Sequence, residues 1–114
     1  MHEFSIIQAL FSQIEDIANT HNAKSISKVY IIVGEVSGAE PHLLKVAFDT
    51  FKENTILQEA ELFIEYQKPV IRCMECDKEF ELEKYAMRCP ECKSFKVRLV
   101  KGDELILKTL ELDI

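Results

Sequence analysis

Several kinds of chemistry are missing from this chain of 114 residues. No glycine-rich phosphate loop occurs, so any nucleotide chemistry has to come from a partner. No Ser or Cys sits in a recognisable nucleophile elbow or beside a base, which removes the common covalent-catalysis arrangements and argues against an enzyme. No apolar run approaches the roughly 18 residues that suggest a membrane span. Excess positive charge is missing too: 14 Lys and Arg face 20 Asp and Glu, for a net charge of −6. Nucleic-acid binders usually display a basic face that displaces counterions from phosphates. The one basic-leaning stretch, Lys93, Lys96, Arg98 and Lys101, reads as a solvated strand face, so no nucleic-acid partner is expected. The opening stretch from Met1 to Ala18 is acidic and lacks a basic n-region, and is therefore read as mature protein. With free thiols and no export signal, the expected home is the cytoplasm.

What the chain does contain is concentrated in its cysteines. Cys73-Met-Glu-Cys76 and Cys89-Pro-Glu-Cys92 hold all 4 of them. Each Cys-x-x-Cys can fold as a tight knuckle that aims two sulfurs at one ion, and Pro90 favours such a turn by presetting φ. Four thiolates around one centre suit tetrahedral zinc, at Zn–S distances of about 2.3 Å. The same cage accepts iron, although neither knuckle has the glycine after its second cysteine (Asp77 and Lys93 stand there) that tight iron knuckles use. A disulfide framework would need an oxidising compartment. A thioredoxin-like pair would need one Cys-x-x-Cys on a βαβ pattern, not two facing each other. With all four positions filled by protein there is no place for a substrate water, so zinc at Cys73, Cys76, Cys89 and Cys92 is expected to be scaffold. Adding four thiolates and one Zn²⁺ takes the net charge to roughly −8.

At 47% apolar residues the chain has ample material for one domain carrying a small insert. Ile7, Leu10, Phe11, Ile14, Ile17 and Ala18 fall at helical spacing and predict an amphipathic helix from about residue 6 to 20. Ser5 with Gln8 reads as its capping box, leaving Met1 to Phe4 outside the first turn. Asn19 to Ser27 is loop-like. Lys28–Val33 predicts a strand closed by Gly34 and Gly38. Pro41 suits the start of a second helix running to about Asn54, with Leu43, Leu44, Ala47, Phe48 and Phe51 as its buried stripe. Strands are predicted at Glu61–Gln67, Val97–Val100 and Leu105–Leu112, with Pro69 at the junction to the cysteine segment and a turn at Gly102-Asp103. The fold class is therefore α+β: two helices packed on a small β-sheet, with an inserted four-cysteine zinc-ribbon subdomain. Residues 1–68 and 100–114 form one unit and 69–99 the insert. Phe80, Leu82, Tyr85, Met87 and Phe95 are too few to fold that insert without metal.

His2 raises a second metal question. The α-amine, the His2 amide nitrogen and the His2 imidazole can close adjacent chelate rings on one ion, and such nitrogen fields favour Ni(II) or Cu(II). Three nitrogens leave one position open, as a carrier requires. Spacing alone does not single this reading out, because a histidine beside an initiator Met is commonly an accident on a frayed terminus. Glu3 likewise suits the positive end of a helix dipole as well as it suits a metal. His21, in a polar loop, and His42, at the start of the second helix, read as solvated or structural.

Taken together, MHEFS at the start, Val33-Gly-Glu-Val-Ser-Gly-Ala-Glu-Pro41, the cysteine quartet and Gly102-Asp-Glu-Leu-Ile-Leu-Lys-Thr-Leu-Glu-Leu112 resemble the HypA family over the whole length. These are nickel metallochaperones of hydrogenase maturation and, in some bacteria, of urease. The resemblance implies a non-enzymatic carrier with His2 as the main nickel ligand, and Glu3 and N-terminal backbone nitrogens beside it. Glu40 would be either a further carboxylate or a helix-start residue. It also implies a nickel-handling GTPase partner, contact with the hydrogenase large subunit and, where urease is served, a urease accessory protein. Zn²⁺ would be structural and Ni²⁺ the cargo. Some members carry histidines beside the knuckle cysteines and this chain has none, so all-sulfur coordination is expected. The rival readings are a zinc-ribbon adaptor or a nucleic-acid-binding module without transferable metal. A monomer or weak homodimer is expected, without membrane association.

Overall fold

The computed structural model describes residues 3–83 and 86–114. Its element order is α1 (Glu3–Thr20), β1 (Ser25–Gly34), α2 (Pro41–Phe51), β2 (Glu61–Gln67), β3 (Val70–Cys73), β4 (Glu79–Glu81), β5 (Val97–Lys101) and β6 (Leu105–Asp113). The architecture is α+β, two helices with two small sheets. The first sheet runs β2-β1-β6 and the second β4-β3-β5. β1 pairs parallel with β2, so α2 is the crossover of a βαβ unit, and β6 closes the other side antiparallel. The chain is drawn out to 53 × 27 × 17 Å with a radius of gyration of 17.3 Å. A compact chain of this length would have a radius of about 13 Å. Each sheet therefore anchors its own lobe.

The α/β lobe is built on apolar periodicity. Ile7, Leu10, Phe11, Ile14 and Ala18 of α1 pack with Leu44, Ala47 and Phe48 of α2 over Val29, Ile31 and Val33 of β1. Phe11 meets Phe48 edge-on at 5.3 Å. On α2, Leu43 turns outward at 45% exposure, so its buried stripe is narrower than the sequence suggests. α2 also ends at Phe51 instead of continuing to Asn54, whose φ of 63° is left-handed. The turns that follow bury Leu57 and Ala60. β6 does not alternate simply. A register shift between the Tyr30 and Ile31 pairings leaves Lys108 outside the ladder. Leu105 and Leu107 before the bulge, and Leu110 and Leu112 after it, then all reach the core.

The expected start of α1 is corrected. Ser5 does not cap it; the helix begins at Glu3, and Glu3 and Phe4 belong to its first turn. Tertiary contacts override the local capping signal. Glu3 is buried and its Oε2 accepts the Glu40 backbone N–H at 2.9 Å. The Phe4 ring meets Phe51 edge-on at 5.5 Å. β1 is also longer than expected, because Ile26 is fully buried and its amide bonds to the Ile56 carbonyl at 3.0 Å. Residues from Ser25 therefore belong to the strand, not to a loop.

The turn between β5 and β6, where the chain returns from the ribbon, packs backbone to backbone on the end of β1. Gly34 N–H donates to the Glu104 carbonyl and Val36 N–H to the Gly102 carbonyl, both at 2.8 Å. A side chain at Gly34 would collide with the Gly102 carbonyl. Gly102 has φ +110°, and a Cβ there would stand 2.8 Å from Pro69 Cα.

Candidate metal centre

The ribbon lobe is held by local backbone bonds that repeat in its two knuckles. Cys73 N–H donates to the Lys78 carbonyl at 2.9 Å, and Cys89 N–H to the Ser94 carbonyl at 2.8 Å. Asp77 N–H returns to the Cys73 carbonyl and Lys93 N–H to the Cys89 carbonyl, at 3.0 and 3.1 Å. Closing these loops puts Asp77 and Lys93 at φ 60° and 65°. The positions after each second cysteine thus take the left-handed conformation glycine would adopt, but with ordinary residues. In each knuckle the second cysteine's amide points at the first one's sulfur, Cys76 to Cys73 and Cys92 to Cys89, both at 3.4 Å. β3, unrecognised in the sequence, carries Cys73 and pairs with both β4 and β5. Ile71, within that strand, is fully buried and joins Cys73, Cys89 and Val97 in the lobe's small core.

The four sulfurs all lie within 4.8 Å of one another. The cross-knuckle distances Cys73–Cys92 and Cys76–Cys89 are 3.5 and 3.8 Å. Tetrahedral metal–thiolate bonds of about 2.3 Å imply sulfur–sulfur edges of about 3.8 Å, so the cage has the size of a zinc site. Ionisation is uneven across it. The Cys76 amide holds Cys73 below the ordinary thiol value. Burial pushes Cys89 up, yet the Cys92 and Glu91 amides bring it to about 7. Burial raises Cys76 to about 12, with the Cys73 and Cys89 sulfurs adding to it. At Cys92 the Ser94 amide pulls downward, but the Cys73 sulfur and burial raise it overall. Crowded thiols cannot all ionise on their own. A divalent cation at the centre supplies the charge that allows four thiolates.

The other candidates are distributed differently. His2 lies outside the described residues, as does Tyr85 of the ribbon. Glu3 and Glu40 are joined, but through the Glu40 amide, while Glu40 Oε2 accepts the Leu43 N–H at 2.9 Å and caps α2. Glu40 therefore takes the helix-start role. His21 Nδ1 lies 2.9 Å from the Ile17 carbonyl at the end of α1. His42 lines an open cleft with Pro41, Lys45, Leu62, Ile64 and Tyr66, between α2 and β2. Among the described residues the cysteine quartet is the one grouping of at least 3 His, Cys, Asp or Glu side chains placed to share an ion.

Fold and centre define a class: a two-lobed α+β protein whose smaller lobe is organised around a closed four-cysteine metal-binding cluster. The sequence model of the family described as "Hydrogenase/urease nickel incorporation, metallochaperone, hypA" matches residues 1–112. The hydrogenase maturation factor HypA of Aquifex aeolicus is 50% identical over 114 residues, covering 100% of this chain and 99% of that protein. The factor of the same name from Shewanella oneidensis is 41% identical over 113 residues, covering 99% and 96%. The solution structure of the Ni metallochaperone HypA from Helicobacter pylori superposes with a TM-score of 0.77 at 30% identity, covering 99% of this chain and 98% of that one. The chain belongs to the HypA family of nickel metallochaperones, which serve hydrogenase and urease maturation and are not enzymes. No helix among the described residues is long and apolar enough to cross a membrane.

Proposed function

We propose that this protein accepts Ni(II) at its N-terminus and hands it on during maturation of a [NiFe]-hydrogenase, with urease as a second destination. His2 supplies imidazole and amide nitrogens, and the α-amine completes a field suited to Ni(II). Incomplete protein coordination leaves a position for the receiving protein's ligand, so transfer is a ligand exchange within a complex. The observation that carries this reading is family membership over residues 1–112 in a chain that begins Met-His-Glu. Supporting it, the Glu3 carboxylate is buried and holds the Glu40 amide, so the start of α1 is tied to the start of α2. We assign Glu3 a double part: its carboxylate fixes that junction, and its backbone nitrogen fills the fourth position beside His2 until the receiving protein's ligand displaces it.

Cys73, Cys76, Cys89 and Cys92 would hold Zn²⁺, which supplies the cross-link that folds the ribbon. Residues 1–68 with 100–114 work as the nickel unit and 69–99 as the zinc unit. The partners of this reading are a nickel-handling GTPase, the hydrogenase large subunit and, where present, a urease accessory protein. The encounter takes place in the cytoplasm, with the carrier a monomer or weak homodimer.

Calorimetric nickel titration of zinc-loaded protein with its native N-terminus, beside His2→Ala, tests the site. Micromolar binding, about 8 kcal/mol, that disappears in the variant is expected. Equal binding by both proteins would remove nickel from the N-terminus, and no binding by either would leave a zinc-ribbon adaptor.

A further inference from the structure

We propose that Cys92 is an oxidation site: a peroxide attacks its sulfur first, and the Cys73 sulfur then closes a disulfide between the two knuckles that opens the zinc cage. The four cysteines are alike in spacing but not in place. Cys73 and Cys89 are 0% exposed, Cys76 is half-buried, and Cys92 alone stands in the open. Their sulfurs are also held differently. The Cys76 and Glu75 amides act on Cys73, and the Cys92 and Glu91 amides on Cys89, with Cys76 and Cys92 donating at 3.4 Å. The second cysteine of each knuckle has a single amide, that of Lys78 for Cys76 and that of Ser94 for Cys92. Each N–H donated to a thiolate draws charge from the sulfur and makes it a poorer nucleophile. Cys92 thus combines a single donor with the freest access, the two conditions under which a thiolate reacts.

Geometry names the second participant. Cys92 Sγ lies 3.5 Å from Cys73 Sγ, closer than the 3.8 Å between Cys76 and Cys89 at the other crossing. Burial shields Cys73 from a dissolved oxidant but not from the sulfur beside it. In the first step the Cys92 thiolate bonds to one oxygen of hydrogen peroxide, the O–O bond breaks, and hydroxide leaves with the electron pair. In the second, the Cys73 thiolate bonds to the Cys92 sulfur, the S–O bond breaks, and a second hydroxide leaves. Two thiolates give up two electrons in all, and one peroxide is reduced to two hydroxide ions. A cage left with two thiolates no longer retains the ion that folds the ribbon. The disulfide keeps the two knuckles joined, so a dithiol reductant can restore the site. The inference rests on the zinc part of the reading above and not on its nickel part.

The test uses the full-length protein without substitution, its zinc content set by elemental analysis. Hydrogen peroxide is added below one equivalent, a chromophoric indicator follows zinc, and the remaining thiols are alkylated in denaturant. Peptide mass spectrometry then locates the bonds formed. The expected first product is a Cys73–Cys92 disulfide that appears together with free zinc and is reversed by dithiothreitol with zinc resupplied. Dimedone should trap sulfenic acid on Cys92 alone. N-Ethylmaleimide on the native, loaded protein should mark Cys92 at least about tenfold faster than any other cysteine. A first disulfide between Cys76 and Cys89 or within one knuckle, equal labelling of the four cysteines, or zinc retained once the disulfide has formed would overturn the proposal alone. A chain that held no zinc at the outset would remove the zinc reading and this inference with it.

Discussion

The two lobes reach stability by different routes. The α/β lobe buries fifteen residues in one apolar cluster drawn from both helices and the first sheet. Among the described residues the ribbon's own cluster holds four, and two of those are cysteines of the metal centre. At about 25 cal/mol per Å² of apolar surface removed from water, the first cluster can hold its chain together and the second cannot. The ribbon replaces missing apolar area with a cation that fastens both knuckles. The difference shows how a lobe too small for a core still keeps a fixed shape.

Stripping the metal should break the comparison most sharply. Structural zinc supplies on the order of 10–16 kcal/mol of apparent binding energy, and in the ribbon that energy is folding energy. A strong chelator at neutral pH, or Cys73→Ala, should make amides of residues 70–82 and 88–101 exchange freely while those of α1, α2 and β1 keep their protection. Hydrogen exchange followed by mass spectrometry reads both lobes at once. Unchanged protection in the ribbon would refute the metal dependence.

The converse experiment attacks the other lobe. Phe48 lies in the apolar cluster edge-on to Phe11, at 0% exposure. Phe48→Ala should cost about 3–5 kcal/mol by leaving a cavity between the helices. Chemical denaturation followed by far-UV circular dichroism gives the loss, and zinc content should stay at one ion per chain. If the variant released its zinc as it lost stability, the lobes would be one cooperative unit.

These regions were also unequally legible in the sequence. β2 was readable to the residue because alternation is a local signal, and the helices were readable because an apolar stripe repeats locally. The α1 start was not. Ser5 and Gln8 formed a plausible cap, and nothing near them reveals that the Glu40 amide would take the Glu3 carboxylate from 37 positions away. β3 and β4 were missed for a related reason: strands of 4 and 3 residues are too short to show a period. The grouping of the four cysteines was legible, since Cys-x-x-Cys spacing carries its own geometry. The inequality of their sulfurs was not, because only the knuckle fold decides which amide reaches which cysteine.

Acidity should separate the lobes next. Cys76 and Cys92 lie above the ordinary thiol value without metal, so at neutral pH both carry protons that zinc must displace. A raised pKa means the proton is lost only at higher pH, so zinc affinity climbs as pH rises and falls toward acid. With at least two protons released, affinity should change about 100-fold per pH unit between roughly pH 6.5 and 8. Competition with a zinc indicator checks the slope, and a slope near zero would mean thiolates that are already formed. The α/β lobe's circular dichroism should stay level over the same range.

The smallest effect concerns the two left-handed residues. Lys93 at φ 65° gives up about 1 kcal/mol that glycine would not, part of which returns through glycine's greater freedom in the unfolded chain. Lys93→Gly should therefore tighten apparent zinc affinity by about twofold, because ribbon folding and metal binding are one equilibrium. Asp77→Gly should give no such gain. Aspartate tolerates the left-handed region better than lysine does, and the Asp77 carboxylate also reaches Arg72 at 2.6 Å. Zinc competition on the two variants side by side measures the contrast. A gain at Asp77 equal to that at Lys93 would mean that backbone strain alone governs both knuckles and that the Arg72 bridge contributes nothing.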